Sequence, residues 1–381
     1  MNIVIIANGY PNNREPQYGC FEKDQAIALQ KEGHKVCILY VDGRFRKYYR
    51  RIGITHLQEN SIDIYGLYLF PMFLSKMNYK LYYWLKSRML DWVFSYMLRR
   101  QEKPDIIYAH FLYNISYAVY LKEKYNIPLV GMEHWSALNQ SKLSSNVIYW
   151  GKIAYQGANR IIAVSNSLKK QIYKHFKKDS IVIHNMVNGD FFQIPVRKYV
   201  KRDKLIYISV GSLFYIKGHD VLIKALSEVA KYTFDWELRI VGGGSEEANL
   251  QNLIKQFGLE NNIKMLGRKN KQEIMSLLCD SDVFILPSRS ENFSVAVLEA
   301  LSVGLPVVAT ACGGISECIN EKNGILVPTE DILELAKSIL DISKNISLYD
   351  KQFIANECKK YFSPSVIANE ITDVFRMVVD K

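Results

Sequence analysis

At 381 residues, with 49% apolar and 23% charged side chains, the chain has a globular composition and is too long for one ordinary domain; two domains of roughly 190 residues are expected. No apolar run approaches the roughly 18 residues of a membrane span, and the 6 cysteines include no CxxC pair, which favours a reducing, cytoplasmic setting over a disulfide framework. The net charge of +11 lies wholly in the first half: residues 1–190 carry 26 Lys and Arg against 14 Asp and Glu, and residues 191–381 carry 23 against 24. Such a surface suits a phosphorylated substrate or an anionic membrane, and with no helix-turn-helix, zinc-knuckle or RNP-like signature, nucleic acid is set aside.

The chain passes from Met1 and Asn2 straight into a strand over 3–7, with no basic leader or cleavage site, so no secretion is expected. Tyr18-Gly19-Cys20 precedes the first long helix. Further β-rich runs lie over 36–41, 106–110, 129–134, 160–165 and 181–185 in the first half. The second half has them over 205–212, 237–242, 263–267, 283–288, 307–311 and 324–327. Helical patterns separate these runs, which predicts parallel α/β sheets, and two such sets predict two Rossmann-like domains. The first is expected over 1–190 and the second over 204–363, joined by a linker over 191–203 within the weakly patterned stretch that holds Gly189, Pro195 and Arg202. Ligands of open α/β sheets bind beyond the carboxyl ends of the strands, so a substrate cleft between two facing domains is expected.

The segment 70–100 interleaves Phe73, Tyr79, Tyr82, Trp84 and Trp92 with Lys76, Lys80, Lys86, Arg88 and Arg100. It fits an interfacial amphipathic helix, and it also fits a core helix whose lysines snorkel to solvent, the reading preferred on the residues alone.

Several loops at strand ends carry chemistry. Gly211-Ser212 opens a loop that places Lys217 just before a helix, where it can neutralise a phosphate. Gly242-Gly243-Gly244 lets backbone and ligand approach closely, and Cys312-Gly313-Gly314 does the same one strand from the end. Glu133-His134-Trp135 ends a strand of the first domain, and the residues alone leave His134 either structural or catalytic. The strand before Pro287 leads to Glu291 in a loop, then to a helix for which Ser294 is the N-cap candidate, and Glu299 follows about one and a half turns in. A helix start suits a phosphate, and two carboxylates beside it suit sugar hydroxyls. Asp280-Ser281-Asp282 matches a metal-binding DxD pattern, but it lies between a helix and a strand and reads as a connecting turn.

In sum these stretches resemble the family-4 retaining glycosyltransferases of the GT-B fold. The Glu-x7-Glu element within "PSRSENFSVAVLEALSVGLPVVATACGG" carries the resemblance most specifically, supported in order by "VGSLFYIKGHDVLIKAL", "LRIVGGGSE", "NNIKMLGR" and "GILVP". "YPNNREPQYGCFEKDQAIALQKEGHKV" and "EHWS" are similar to bacterial surface-polysaccharide members. The resemblance covers nearly the full chain and is strongest over 207–328. It implies that the last helix, about 364–381, packs back on the first domain.

The resemblance also implies roles. Glu291 would hold hydroxyls of the donor sugar and Glu299 the ribose. The backbone at Phe293, Ser294 and Val295, with Gly211 and Ser212, would meet the diphosphate, and Lys217 would neutralise it as it leaves. Gly242 and Gly243 would border the donor, the backbone near Arg268 would meet the base, His134 would sit beside the reacting sugar, and Gly19 would approach the diphosphate. Ser212 replaces an arginine found in many members, and Asn292 replaces a glycine. The implied reaction is metal-independent transfer from a nucleoside-diphosphate sugar, taken as a UDP-sugar. Its acceptor would be a saccharide or polyprenyl-linked saccharide of capsule, exopolysaccharide or O-antigen synthesis, met in the cytoplasm or at the inner face of an anionic membrane. No metal or cofactor beyond that co-substrate is expected. Retention would proceed by front-face substitution, because both glutamates are committed to hydroxyls and neither is placed as a nucleophile. A sugar-nucleotide epimerase of the same fold and a non-catalytic sugar-nucleotide-binding partner of another transferase are the alternatives. A nicotinamide enzyme is set aside, since the first strand ends in Asn8-Gly9-Tyr10 without GxGxxG.

Overall fold

The run Ile3, Val4, Ile5 and Ile6 is buried on both faces, which only a sheet covered by helices on both sides permits. In the computed structural model, which describes all residues except 16–17, 45–50, 70–77, 198, 234 and 381, this run is β1 (Asn2–Ile6). There follow α1 (Cys20–Lys31), β2 (Lys35–Asp42), β3 (Gly53–Glu59), β4 (Ile62–Tyr68), α2 (Tyr79–Leu98) and β5 (Ile106–His110). The series continues through α3 (Leu112–Tyr125), β6 (Leu129–Glu133), α4 (Ser145–Gly157), β7 (Arg160–Ala163), α5 (Asn166–Phe176) and β8 (Ile181–Val182). The strands form one sheet in the order β3-β4-β2-β1-β5-β6-β7-β8. All neighbours are parallel except β3 and β4, an antiparallel hairpin.

That hairpin has no counterpart among the expected strands. Its outer strand is mostly solvent-exposed, so it shows no buried apolar face, and its tight turn uses Asn60 and Ser61 at φ 50 and 60 without the glycine that ordinarily marks such a turn.

The second set comprises β9 (Leu205–Val210), α6 (His219–Val229), β10 (Trp236–Val241), α7 (Glu247–Gln256), β11 (Ile263–Met265), α8 (Lys271–Cys279) and β12 (Val283–Leu286). It ends with α9 (Val295–Ser302), β13 (Val307–Thr310), β14 (Gly324–Val327), α10 (Ile332–Lys344) and α11 (Lys351–Phe362). Its sheet is parallel throughout, in the order β11-β10-β9-β12-β13-β14. One core joins Tyr207, Leu222, Leu226, Trp236 and Ile339 beneath it.

The chain divides into two units, Met1–His184 with Pro364–Lys381, and Asn185–Ser363. The last helix, α12 (Pro364–Val379), packs on α1 of the first unit. His34 Nε2 and Thr372 Oγ1 are hydrogen-bonded at 2.9 Å, and the Phe375 ring meets Tyr108 edge-on. The expected limits at 190 and 191–203 are corrected: residues 185–203 belong to the second unit. Asn185 Nδ2 donates to Phe293 O (2.9 Å), the Val187 N–H donates to Phe362 O (2.9 Å), Phe191 is buried, and Arg202 pairs with Asp280 (3.0 Å). These ties run to distant backbone carbonyls and one carboxylate, so no local periodicity announces them.

Within the segment 70–100, Phe73 and Lys76 lie outside the described residues. α2 buries Leu90, Val93, Phe94 and Met97 and leaves Leu81, Trp84, Arg88 and Trp92 exposed. Among the described residues no helix is long and apolar enough to cross a membrane. Asp280 and Asp282 are engaged locally: Asp280 pairs with Arg202 and Arg239 and Asp282 accepts the Ile206 N–H at 2.8 Å, so both carboxylates hold a turn.

Candidate active site

At the carboxyl ends of β9, β10 and β11 the second unit gathers its glycine turns. The Gly211 N–H donates to Val241 O (3.0 Å), the Gly242 N–H to Gly267 O (2.9 Å) and the Leu213 N–H to Gly243 O (3.2 Å). Gly211, Ser212, Gly242, Gly243 and Arg268 therefore share one backbone-lined wall. A Cβ at Gly243 would lie 2.9 Å from Arg268 Nε, so the bare loop makes room for that side chain.

Lys217 closes a 3-10 turn, Tyr215–Lys217, and its Nζ meets Glu291 Oε1 at 2.5 Å. Ser288 Oγ donates to the same oxygen at 2.9 Å. Glu291 is only 8% exposed, and these two donors are among the groups that replace its lost water. Its loop is braced by the next one: Gly313 sits at φ 59, where a side chain is strained and a Cβ would fall 1.7 Å from Glu291 O. The Gly314 N–H completes the brace by donating to Asn292 O at 2.8 Å. Asn292 is not among the residues with positive φ, so this loop does not need the glycine common at that position.

Ser294 occupies the N-cap of α9, yet its side chain makes no capping hydrogen bond. Phe293 packs against Phe362, and Val295 begins the helix. Glu299 lies half-buried on α9, so the two carboxylates flank a helix start as their spacing predicts.

Arg289 is not among the expected site residues. Its guanidinium grips Asp220 through two bonds (2.8 and 2.9 Å), pairs with Glu330, lies 3.8 Å over the Tyr215 ring, and thus ties the Lys217 loop to the Glu291 loop. Burial alone would raise the Asp220 carboxyl, but this bidentate partner and Lys224 hold it below the ordinary aspartate value. Arg289 stands two residues before Glu291 in the same post-strand loop, and that placement was its available signal.

In the first unit, Gly19 starts α1 at φ 80, and a Cβ there would lie 2.3 Å from Gly9 O. His134 is half-buried between Phe21 of α1, Phe111 and His110. The two imidazoles stack at 5.4 Å between centroids, with His110 Nδ1 3.2 Å from His134 Nε2. Burial, and then His134, hold His110 well below the ordinary histidine value, so its ring is neutral. His110 was also missed. Its signal is positional, because it ends β5 beside β6, and parallel neighbours bring their carboxyl-end residues together.

Beneath His134, Glu133 is fully buried and accepts from the Tyr155 hydroxyl (2.7 Å), the Trp135 N–H (2.8 Å) and the His134 N–H (3.0 Å). Burial pushes its carboxyl up to about 7 against these opposing bonds. A carboxyl raised on folding favours the folded state while protonated. Its contribution is intact below about pH 4.5 and is lost as the pH rises to about 7, a change of about 3 kcal/mol. Glu133→Gln should flatten the pH dependence of unfolding free energy across that window; an unchanged slope would assign it to another group.

Two parallel-sheet units with glycine loops and a charged helix start at the strand ends form the GT-B architecture. The family model for glycosyl transferases group 1 matches residues 191–359, and that for glycosyltransferase family 4 matches residues 23–191. An uncharacterised glycosyltransferase of Methanocaldococcus jannaschii is 30% identical over 249 residues, 65% of this chain and 68% of that protein. The putative colanic acid biosynthesis glycosyltransferase WcaL of Salmonella typhimurium is 39% identical over 144 residues, 36% of each chain. Anabaena HepE, solved with UDP and glucose, superposes with a TM-score of 0.74 at 18% identity over 99% of this chain and 100% of its own. The chain belongs to the family-4 glycosyltransferases.

Proposed function

We propose that this protein is a retaining, metal-independent hexosyltransferase that moves a sugar from a UDP-sugar to a saccharide or lipid-linked saccharide of a bacterial surface polysaccharide. The observation that carries this reading is the partly buried Lys217–Glu291 pair beside the start of α9. A diphosphate placed at that helix start would draw Lys217 toward its oxygens, leaving Glu291 to accept from sugar hydroxyls, with Glu299 on the ribose. As the bond from the anomeric carbon to the phosphate oxygen breaks, Lys217 and the helix N–H groups receive the developing charge. The acceptor oxygen bonds to the same face of that carbon, and its proton passes to the departing phosphate. Gly19, Arg268 and His134 keep the roles that family resemblance suggests. UDP in the HepE structure and the colanic acid biosynthesis label of WcaL support the choice of donor and pathway.

The test is calorimetric titration of wild type and Glu299→Ala with UDP, GDP and ADP, without metal. Micromolar binding of one nucleotide, weakened about tenfold or more in the variant, is expected; no binding of any nucleotide overturns the reading. The exposed Leu81, Trp84, Arg88 and Trp92 of α2 support peripheral contact with an anionic membrane. Flotation of the same protein with anionic vesicles should then be salt-sensitive, and its absence removes the membrane from the proposal.

A further inference from the structure

The first unit holds a cavity of about 470 Å³ at the carboxyl ends of β1 and β2 that no role above employs. Its aromatic wall is built round Trp150 of α4, against which Tyr82 of α2 and Tyr113 and Tyr117 of α3 set their rings at 6.3, 6.0 and 5.5 Å between centroids. On the polar side, Asn114 Nδ2 donates to Asn8 Oδ1 at 2.9 Å, leaving the Asn8 amide N–H groups and the Asn114 carbonyl to serve a ligand.

Charge is the discriminating feature. Asp42, buried in the cavity wall, is gripped through both oxygens by Arg44, at 3.1 and 3.0 Å. Lys86 also lines the cavity, over the Tyr82 ring, and no ion pair to it is found among the described residues. Burial pushes its ammonium below the ordinary lysine value, with Asp42 opposing the shift. Arg44 also reaches Glu15 outside the cavity at 3.7 Å. The charged residues lining the cavity are Asp42, Arg44 and Lys86, so the lining carries one positive charge in excess. A desolvated cation of this kind is stabilised by an anion that completes it. Flat aromatic faces suit the C–H faces of a sugar ring, amides suit its hydroxyls, and the volume lies in the ordinary range for a small-ligand site.

We propose that this cavity receives a sugar residue bearing an acidic group, carboxylate or phosphate, with that group on Lys86, and hence that the acceptor is an anionic saccharide. The word acceptor rests on the transferase reading; the acidic-sugar site does not. The test titrates the full-length protein with methyl glucuronide, glucose 6-phosphate and methyl glucoside, using wild type, Lys86→Met and Lys86→Arg. UDP titration and thermal unfolding are run alongside to show that each variant is folded. One of the acidic sugars should bind about tenfold tighter than the neutral one, with a preference that declines with salt, disappears in Lys86→Met and is partly restored in Lys86→Arg. Preference for the phosphate or for the uronate identifies the acidic group. Equal binding of acidic and neutral sugars, no sugar binding by a protein that binds UDP, or full acidic-sugar binding by Lys86→Met overturns the proposal. Acidic-sugar binding without nucleotide binding would sustain the site and sink the transferase reading instead.

Discussion

Glu291→Gln is expected to lower kcat by about 100- to 1000-fold while leaving UDP affinity unchanged or raised. The direction follows from its contacts. The carboxylate holds Lys217 at 2.5 Å and accepts from Ser288, and it is almost fully buried. The amide keeps the shape of the side chain and can still accept from Ser288, so the loop braced by Gly313 should stand. On the proposed function, what disappears is a negative charge that would face the sugar hydroxyls, where hydrogen bonds strengthen as positive charge develops on the ring. Lys217, released from its partner, is then freer to meet phosphate. Steady-state kinetics with titration of UDP separate the two effects. A variant with near-normal kcat and a large loss of stability would mark Glu291 as a structural partner of Lys217 and nothing more.

Lys217→Ala is expected to weaken UDP binding by about 10- to 100-fold, the range of one charge-assisted bond to phosphate, and to reduce kcat in addition. UMP lacks the β-phosphate and should bind the variant nearly as well as wild type, so the ratio of the two affinities reports on the terminal phosphate alone. Removing Lys217 also leaves a buried carboxylate without its ion-pair partner, which by itself costs about 3–5 kcal/mol for a fully buried pair and less here, where the lysine side chain is 24% exposed. Lys217→Ala with Glu291→Gln resolves the ambiguity, because stability should recover while UDP binding stays weak. Equal loss of UMP and UDP affinity would instead place Lys217 away from the terminal phosphate.

Much of this architecture is legible in the residues. All twelve expected strands overlap strands of the two sheets, although 181–185 shrinks to the two-residue β8. They are legible because strands covered on both faces read as short unbroken apolar runs such as 3–7 and 283–286. The hairpin Gly53–Tyr68 was not, since one half-exposed edge strand and a glycine-free turn leave no pattern to read. The Glu-x7-Glu spacing similarly announces two carboxylates at a helix start, because eight positions along one loop and helix is a local distance. Arg289 and His110 escaped that reading, their partners lying 69 and 24 residues away in the chain.

The sequence by itself determined the two parallel-sheet units, the loops that end their strands, and the residue types those loops present, because periodicity, glycine placement and helix starts are local properties of the chain. Only the tertiary structure decided that Lys217 rests on Glu291, that Arg289 joins their loops through Asp220, that Glu133 lies buried under His134, and that Lys86 stands without an ion-pair partner among the described residues in an aromatic cavity. Each of these depends on how much water a charge has lost and which distant group replaces it. That balance is set by packing between elements far apart in the chain, which no local pattern encodes.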